Sequence, residues 1–498
     1  MNNMNPGLYQ VNLRVYLNHL SRKLGRKAFL RDIPDDELDR YVELGFEWVW
    51  LLSVWQTGEK GRELSRTRPE WLADFNETLS DLKEEDIPGS GFAITGYDVH
   101  ADLGGDKALA EFRERLRHRN LKLMLDFVPN HVALDHPWVN QHQDYFIVGN
   151  EKLLIDQPAN YVQISTRHGD VVFAYGRDPY FSGWPDTLQL NYSNPALQQA
   201  MTDVLLKISG QCDGVRCDMA MLILPEVFER TWGRPCALFW PAAIKRVRES
   251  YPEFVFMAEV YWDLEWELQQ QGFTYTYDKR LYDRLDHGNA FSVWEHFKAD
   301  LDYQQKSVRF LENHDEPRAA KKFPQLRHEA AAVITFFCPG LRFLHQGQLQ
   351  GNVIHISPHL GRGPDERVDF SMERFYSKLL TILKQPVFHT GRWLLLNTSN
   401  VSDGNNTNLN YIGFIWIGSD DDATIVVVNY SETTSQAFLK IPIGGLRGKN
   451  WRLQDLFSGI SYDRDGDDLL SRGLFLDEPG WKYYVFSVVD VTTTKQSE

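Results

Sequence analysis

The chain has 498 residues, of which 43% are hydrophobic and 24% charged, a composition typical of a globular protein with a large apolar core. Its 68 acidic residues outnumber the 53 lysines and arginines, and the net charge of −15 argues against nucleic acid or anionic lipid as a partner. The N-terminus lacks a basic segment followed by an apolar run, and no window offers the roughly 20 apolar residues that a membrane span requires. We therefore predict a cytoplasmic protein without a membrane segment, whose four cysteines are reduced.

Eight short apolar runs, rich in β-branched and aromatic residues, alternate with segments of helical period. This alternation is typical of βα units that build a parallel sheet, in which strands buried on both faces are almost continuously apolar. The helical segments include 105–119 and 195–209, the second of which opens with an Asn-Pro start signal. The predicted strands are 9–17, 46–52, 121–128, 212–218, 254–260, 273–277, 307–312 and 341–347.

Eight strand–helix units predict an α/β fold built on a (β/α)8 TIM barrel, with an open doubly wound sheet as the alternative. Two regions depart from the repeat. Residues 131–190 are too long for an ordinary βα loop and predict a small inserted domain after the third strand. From residue 391, short strands between polar and glycine-rich turns predict a C-terminal antiparallel β-sandwich. The predicted domains are the barrel in two parts (1–130 and 191–390), the inserted domain (131–190) and the sandwich (391–498).

Four acidic residues stand at the ends of predicted strands: Asp126, Asp218, Glu259 and Asp315. A single acidic residue in such a place usually caps a helix or forms an ion pair, but four at matching ends would converge on the catalytic face of a barrel. A pocket of carboxylates suits metal-assisted hydrolysis or cleavage of a glycosidic bond. The sequence has no close-spaced pair of metal ligands such as H-E-x-x-H, so glycoside chemistry is favoured over a metal-dependent hydrolase.

Four motifs that contain these acids follow one another along the chain in a recognisable order. They resemble, in order and spacing, the four signature regions of the alpha-amylase superfamily of retaining glycoside hydrolases. Further segments (96–109, 188–197 and 339–348) are similar to other parts of the same family, so that the resemblance spans most of the chain. The four motifs are DFVPNH (126–131), GVRCD (214–218), AEV (258–260) and LENHD (311–315).

The resemblance implies a retaining enzyme that acts on α-glucosidic bonds by hydrolysis or by transfer to another sugar, and that needs no cofactor for its chemistry. Asp218 would be the nucleophile that forms a covalent glycosyl-enzyme, and Arg216 would keep it ionised. Glu259 would be the acid and base, with a raised pKa, and retention requires its carboxyl to lie about 5–5.5 Å from that of Asp218. Asp315 would bind ring hydroxyls and favour the distorted sugar of the transition state.

The family pattern also implies residues that contact the sugar. His131 and His314 would bind hydroxyls beside the scissile bond, and Tyr97 would stack beneath the same ring. Trp262 follows the acid closely enough to stack on the leaving or accepting sugar, with core packing as the alternative. Arg318, in NHDEPR, is similar to the arginine with which exo-acting α-glucosidases clamp a terminal glucose.

Asp126 and Asn130 are expected to brace the loop at the site. In many family members the asparagine binds calcium, so the resemblance leaves a calcium ion at Asn130 open, although no dense cluster of oxygen ligands accompanies it.

Two departures from the family pattern bear on the substrate. Amylases that cut long starch chains commonly carry a lysine–histidine pair where this chain has Met221 and Leu222, and exo-acting glucosidases have an acidic residue where it has Ile94. We therefore predict action on short oligosaccharides or glucosides, while the linkage, the balance between hydrolysis and transfer, and the oligomeric state stay open. A catalytically inactive carbohydrate-binding or transporter-associated relative is the alternative, and the presence of all three catalytic acids argues against it.

Overall fold

A closed barrel of eight parallel strands forms the centre of the computed structural model, which describes residues 5–418 and 422–491. Neighbouring strands follow the order β1-β8-β7-β6-β5-β4-β3-β2 around the barrel. Closure of the sheet confirms the predicted TIM barrel and excludes the open sheet. The barrel strands are β1 (Gly7–Asn12), β2 (Trp48–Leu52), β3 (Lys122–Phe127), β4 (Gly214–Cys217), β5 (Val255–Ala258), β6 (Tyr275–Tyr277), β7 (Ser307–Arg309) and β8 (Leu341–His345).

The first predicted strand, 9–17, was wrong in its second half. Strand β1 ends at Asn12, and a helix begins at Leu13, because the Asn12 side chain accepts a hydrogen bond from the Val15 N–H and caps the helix. Leu13, Leu17 and Leu20 are buried at helical spacing. The apolar residues of 9–17 therefore belong to two consecutive elements, a strand that ends at Asn12 and a helix that begins at Leu13.

Helices follow the strands and pack around the outside of the barrel. The two predicted helices are present as Gly105–Arg117 and Pro195–Ser209, the second capped by the Asn194 side chain. The other helices of seven or more residues in this part of the chain are Leu13–Leu24, Asp35–Glu43, Glu59–Thr67, Pro69–Thr78, Pro225–Trp232, Trp240–Ser250, Lys279–His287, Ala290–His296, Leu326–Phe337 and Phe370–Leu383.

Three long excursions leave the barrel at the carboxyl ends of its strands. The one after β2 carries strands Trp55–Thr57 and Ile94–Val99 with two helices between them. The one after β3 pairs His131–Ala133 with Thr187–Gln189 and contains the hairpin Tyr161–Thr166 and Gly169–Ala174. The one after β8, residues 352–369, has no helix or strand. Because parallel barrel strands end on one face, these excursions form the rim of the same opening.

The C-terminal region is built from two antiparallel sheets that share an apolar core, as the sandwich prediction requires. It contacts the barrel directly, since the Trp416 indole donates to the Phe337 carbonyl at 2.7 Å. The six-stranded sheet contains Arg392–Leu395, Tyr411–Ile417, Ala423–Asn429, Tyr483–Asp490, Asn450–Asp455 and Ser461–Asp465, and the three-stranded sheet Thr398–Ser399, Ser435–Leu439 and Leu474–Glu478.

The predicted domain boundaries at 130, 190 and 390 stay predictions, and residues 1–4, 419–421 and 492–498 of the predicted domains lie outside the described residues. All four cysteines are free thiols. Among the helices that the structure describes, none combines the length and apolar character needed to cross a membrane.

Candidate active site

Four carboxylates and one guanidinium meet at the carboxyl end of the barrel. Arg216 in β4 lies beside Asp126 in β3, because the strand register pairs these two residues. Nη1 of Arg216 is 2.7 Å from Asp218 Oδ1 and 3.5 Å from Asp126 Oδ1, and Nη2 is 2.6 Å from Glu259 Oε2 and 3.9 Å from Asp315 Oδ2. The fold thus gathers at one arginine the four acids that the sequence places at separate strand ends.

Arg216 is enclosed by aromatic rings, and only 1% of its side chain is exposed. Its guanidinium carbon lies 5.5 Å from the Trp50 ring, 5.3 Å from the Phe92 ring and 6.0 Å from the Tyr277 ring. Burial opposes the charge, but the carboxylates of Glu259 and Asp218 outweigh it and hold the pKa of Arg216 above its usual range. The site therefore contains a permanent positive charge.

Glu259 follows β5 and is almost completely buried. Its Oε2 accepts hydrogen bonds from Arg216 and from the Met219 N–H at 2.7 Å, and its Oε1 accepts from the Tyr261 hydroxyl at 2.8 Å. Burial raises the pKa of Glu259, Asp218 adds to the shift by repulsion, and Arg216 opposes it. The net direction favours a protonated carboxyl, which a general acid needs.

Asp218 lies one residue beyond β4, where its N–H still donates to the Phe127 carbonyl at 2.8 Å. The next residue, Met219, has a left-handed backbone with a φ of 43°, an uncommon conformation for a residue with a side chain. This turn directs the N–H groups of Met219 and Ala220 at Glu259, where they bond to the side chain and to the backbone carbonyl respectively. The turn therefore couples the position of Asp218 to that of Glu259.

Asp315 is the most exposed of the four acids, with 42% of its side chain accessible. Its Oδ2 lies 3.1 Å from Nε2 of His314, whose Nδ1 is 3.0 Å from the Gln10 amide nitrogen. Burial, together with the charge of Arg216, holds the pKa of His314 well below its usual range, so the ring is neutral. Because an amide N–H can only donate, Nδ1 accepts and the His314 proton resides on Nε2, which has no hydrogen-bond partner within the described residues.

The other predicted contact residues lie around this centre. Tyr97 is buried, with its hydroxyl 3.0 Å from both the carbonyl oxygen and the amide nitrogen of Val128. The buried His131 ring lies 5.2 Å from the ring of Trp184. Their roles in sugar binding stay predictions.

Trp262 and Arg318 have other partners in this structure. Trp262 is partly buried, has a φ of 64°, and meets the Tyr180 ring edge-on at 5.0 Å. Arg318 is buried and its guanidinium is bound by Glu312 and the Gln346 carbonyl, both at 3.0 Å. To bind a terminal sugar directly, Arg318 would have to give up its contacts with Glu312 and Gln346. Otherwise it could affect the sugar only by positioning these two residues, and its role as a clamp stays a prediction.

Asp126 and Asn130 connect the site to the excursion after β3. Burial raises the pKa of Asp126 to about 7, against the opposing charge of Arg216. The Gln189 amide donates to the side-chain oxygen of Asn130 at 2.9 Å and to its carbonyl at 3.0 Å. Calcium takes six to eight oxygen ligands, and residues 5–418 and 422–491 hold no cluster of three or more His, Cys, Asp or Glu suited to a metal. A calcium ion at Asn130 would have to draw most of its ligands from backbone and amide carbonyls, and it stays a prediction.

Three further residues at the centre were not predicted from the sequence. Tyr261 bonds the acid, Gln10 orients His314, and Phe92 stacks on the His314 ring at 5.4 Å. Gln10 carried a signal, since it is a polar residue inside an apolar strand. Phe92 and Tyr261 carried none, because an aromatic residue beside an apolar run is most often part of the core.

Comparisons with known proteins agree with this arrangement. Alpha-amylase MalA of Haloarcula japonica is 24% identical over 418 residues, which are 81% of this chain but 53% of that protein, so the chain spans about half its length. Trehalose synthase/amylase TreS of Mycobacterium tuberculosis is 28% identical over 38% of this chain and 34% of its own. The structure of a maltogenic alpha-amylase, AmyB of Thermotoga neapolitana, superposes with a TM-score of 0.69 at 19% identity, covering 98% of this chain and 99% of its own.

A comparison with family models covers seven of the eight barrel strands, from β2 to β8. Residues 36–366, more than half of the chain, match the family model described as alpha amylase, catalytic domain. This range contains all four acids and the arginine that joins them. The chain belongs to the alpha-amylase family.

Proposed function

We propose that the protein is a retaining α-glycoside hydrolase or transglycosylase that acts on α-glucosidic bonds of short oligosaccharides or glucosides. The observation that carries the proposal is the sharing of one guanidinium between Asp218 at 2.7 Å and Glu259 at 2.6 Å. A retaining mechanism needs two carboxyls close together with different protonation states. Arg216 supplies a positive charge beside both carboxyls, and burial raises the pKa of Glu259, so that Glu259 is suited to carry the proton.

The first half of the reaction forms a covalent intermediate. An Asp218 oxygen attacks the anomeric carbon as the bond from that carbon to the leaving oxygen breaks, and Glu259 gives its proton to the leaving oxygen. The neutral His314 and the exposed Asp315 bind hydroxyls of the reacting sugar, a role supported by the distance of 3.1 Å between Nε2 of His314 and Oδ2 of Asp315. In the second half, Glu259 takes a proton from water or from a sugar hydroxyl, whose oxygen attacks the anomeric carbon and releases Asp218.

Tyr261 is the hydrogen-bond partner of the Glu259 carboxyl, which loses and regains a proton during the reaction. Its hydroxyl donates to Oε1 of Glu259 when the carboxylate is ionised, at the observed distance of 2.8 Å. A hydroxyl both donates and accepts, so the same contact can hold a protonated Glu259 with the bond reversed. Tyr261 thereby keeps the carboxyl oriented through both halves of the reaction.

The preference for short substrates is supported by the residues that follow Asp218. Met221 and Leu222 lie in a buried 3-10 helix, Ala220–Ile223, and their apolar side chains can form no hydrogen bond with a chain of sugars. Among relatives, the names trehalose synthase/amylase and alpha-1,4-glucan:maltose-1-phosphate maltosyltransferase describe transfer as well as hydrolysis. Both outcomes are compatible with an intermediate that water and sugars can attack.

The test combines trapping with product analysis. A 5-fluoro-α-glucosyl fluoride should form a stable adduct that peptide mass spectrometry locates on Asp218, and Asp218→Asn should show none. NMR should then follow the anomers released from maltose, longer malto-oligosaccharides, trehalose, sucrose, isomaltose and soluble starch. The α-anomer should appear first, and short sugars should be favoured. Initial release of the β-anomer contradicts the mechanism, and rapid internal cleavage of starch contradicts the substrate range.

A further inference from the structure

The long excursion after β8 is the starting point. Residues 352–369, here called the latch, contain no helix or strand, although unstructured loops of this length are uncommon in compact domains and are usually functional. The latch is nevertheless held firmly. Within it, Glu366 accepts hydrogen bonds from the N–H groups of Val353 at 2.7 Å and Ile354 at 3.2 Å. These bonds within the latch, together with the contacts to other segments described next, fix its position.

Most of its external contacts go to the excursion after β2. Arg362 binds both carboxylate oxygens of Asp86, at 2.8 and 2.7 Å, and reaches Asp81 at 3.0 Å. The Gly361 N–H donates to the Asp86 carbonyl at 2.8 Å. Leu360 is 1% exposed and packs in a separate apolar cluster with residues of the β2 excursion, namely Phe75, Leu79 and Ile87. A bidentate ion pair and an apolar cluster together join the two excursions into one wall.

The latch also reaches the catalytic centre. The His355 side chain is bonded to the His314 carbonyl at 2.7 Å through Nε2, which must carry the proton because a carbonyl only accepts. That carbonyl lies in the peptide bond between His314 and Asp315. On the other side of His314, the ring of Phe92, from the β2 excursion, stacks against the imidazole. The wall therefore stands directly beside the residues that face the reacting sugar.

The order of the barrel strands shows on which side of the catalytic centre this wall lies. In the closed barrel, β8 lies across from β4 and β1 across from β5, and β2 is the neighbour of β1. Glu259, after β5, must reach the leaving oxygen, so the leaving group lies on the β5 side and the transferred sugar, the glycone, extends toward β8, β1 and β2. The latch and the β2 excursion rise from these strands. Both excursions therefore begin on the glycone side of the site.

We propose that the latch closes the glycone side of the site, so that only one sugar residue fits between this wall and the scissile bond. The enzyme would then release or transfer single terminal residues. This inference rests on the proposed function and adds to it the length of the glycone. Arg362 is a positioning residue in this scheme, because it holds the wall and does not touch the reacting atoms.

The test compares two aryl substrates by the ratio of their kcat/KM values. The first is 4-nitrophenyl α-glucoside, which places one sugar on the glycone side. The second is 4-nitrophenyl α-maltoside with its terminal 4- and 6-hydroxyls blocked by an acetal, which releases nitrophenol only if two sugars fit there. In the wild type, the blocked maltoside should react at least about 100-fold more slowly. The ratio cancels any loss of activity that both substrates share.

Two variants weaken the anchor of the latch, and a third serves as a matched control. Arg362→Ala and the isosteric Asp86→Asn should each shift the ratio toward the blocked maltoside by about tenfold, because each removes the ion pair that joins the excursions. Arg119→Ala removes an arginine–aspartate pair, with Asp39 at 2.6 Å, just ahead of β3 at the opposite end of the barrel. It should leave the ratio unchanged. Circular dichroism melting of all three confirms that the comparison is made on folded protein.

The outcomes separate this inference from the function on which it rests. A wild-type ratio near one overturns the closed glycone side, even if the glucoside is a good substrate. An unchanged ratio in both Arg362→Ala and Asp86→Asn, or an equal shift in Arg119→Ala, overturns the role of the latch. A wild type that releases no nitrophenol from the glucoside, and forms no adduct on Asp218, overturns the proposed function and the inference with it.

Discussion

Replacement of Arg216 by lysine should keep the positive charge of the site but remove the forked contact with two carboxylates, and so show how much activity depends on that contact. The guanidinium contacts Asp218 and Glu259 through two different nitrogens, at 2.7 and 2.6 Å. A lysine ammonium keeps the positive charge, but as a compact point charge it cannot form the same fork. At least one of the two contacts is then lost. Hydrogen bonds to charged groups contribute roughly 1.5–3 kcal/mol each, so kcat/KM should fall by about 10- to 200-fold.

The assay is the release of nitrophenol from 4-nitrophenyl α-glucoside, with kcat and KM measured separately. Arg309→Lys is the matched control, since Arg309 is also fully buried and pairs with an aspartate, Asp278, outside the carboxylate cluster. Both variants should lose stability, measured by thermal unfolding, because each leaves a buried carboxylate with fewer donors. Only Arg216→Lys should lose most of its kcat. A loss of less than about fivefold, or an equal loss in Arg309→Lys, would refute the shared role of Arg216.

Three further predictions follow from the same geometry. Asp218→Asn should reduce turnover of the aryl glucoside by about 1000-fold or more without lowering the melting temperature, and retention of more than about a tenth of the activity contradicts its role as nucleophile. Because burial raises the pKa of Glu259, the alkaline limb of kcat/KM should lie above the usual glutamate range. Glu259→Gln should abolish that limb and should slow maltose far more than the aryl glucoside, whose good leaving group needs little proton donation; equal slowing of both argues against the assignment. Burial also raises the pKa of Asp186 to about 6 from 3.8. A raised carboxyl pKa stabilises the fold at low pH and loses that contribution as pH rises. Between about pH 3 and 8 the wild type should therefore lose roughly 3 kcal/mol of unfolding free energy relative to Asp186→Asn in urea titrations, and parallel curves would show that Asp186 is not desolvated.

Most acids of the candidate site could be located from the sequence because they occupy positions defined by a strand. Asp126, Asp218 and Glu259 lie in or just after apolar runs, and a polar residue in such a run is visible without a structure. Arg216 is visible for the same reason. The groups that bond Glu259 are not visible in the sequence. Tyr261 and the left-handed turn at Met219 reach it only because of the path that the chain takes after the strand. Local backbone conformation after a strand is set by tertiary contacts, which periodicity does not encode.

Arg318 also shows the difference between what a motif predicts and what the folded chain determines. Arg318 lies in a motif that suggested a sugar clamp, yet its guanidinium is held by Glu312 and the Gln346 carbonyl. A motif fixes which residue is present and roughly where its backbone lies. The direction of a long, flexible side chain depends on which acceptors the folded chain brings within reach, and these come from distant segments.

Residue patterns along the chain were enough to predict the barrel, its eight strands and the four acids at or after their ends, because burial on both faces forces a continuous apolar pattern that any charged residue interrupts. They were also enough to predict the C-terminal sheets, whose short strands and turns have a local signature. Folding was needed to show how Arg216 joins Asp218 to Glu259, and how the latch meets the excursion after β2 through Arg362 and Asp86. Glu259 comes from a different strand than Arg216, and Arg362 from a different excursion than Asp86. Each of these contacts joins segments far apart in the chain, and no local pattern records the distance between them.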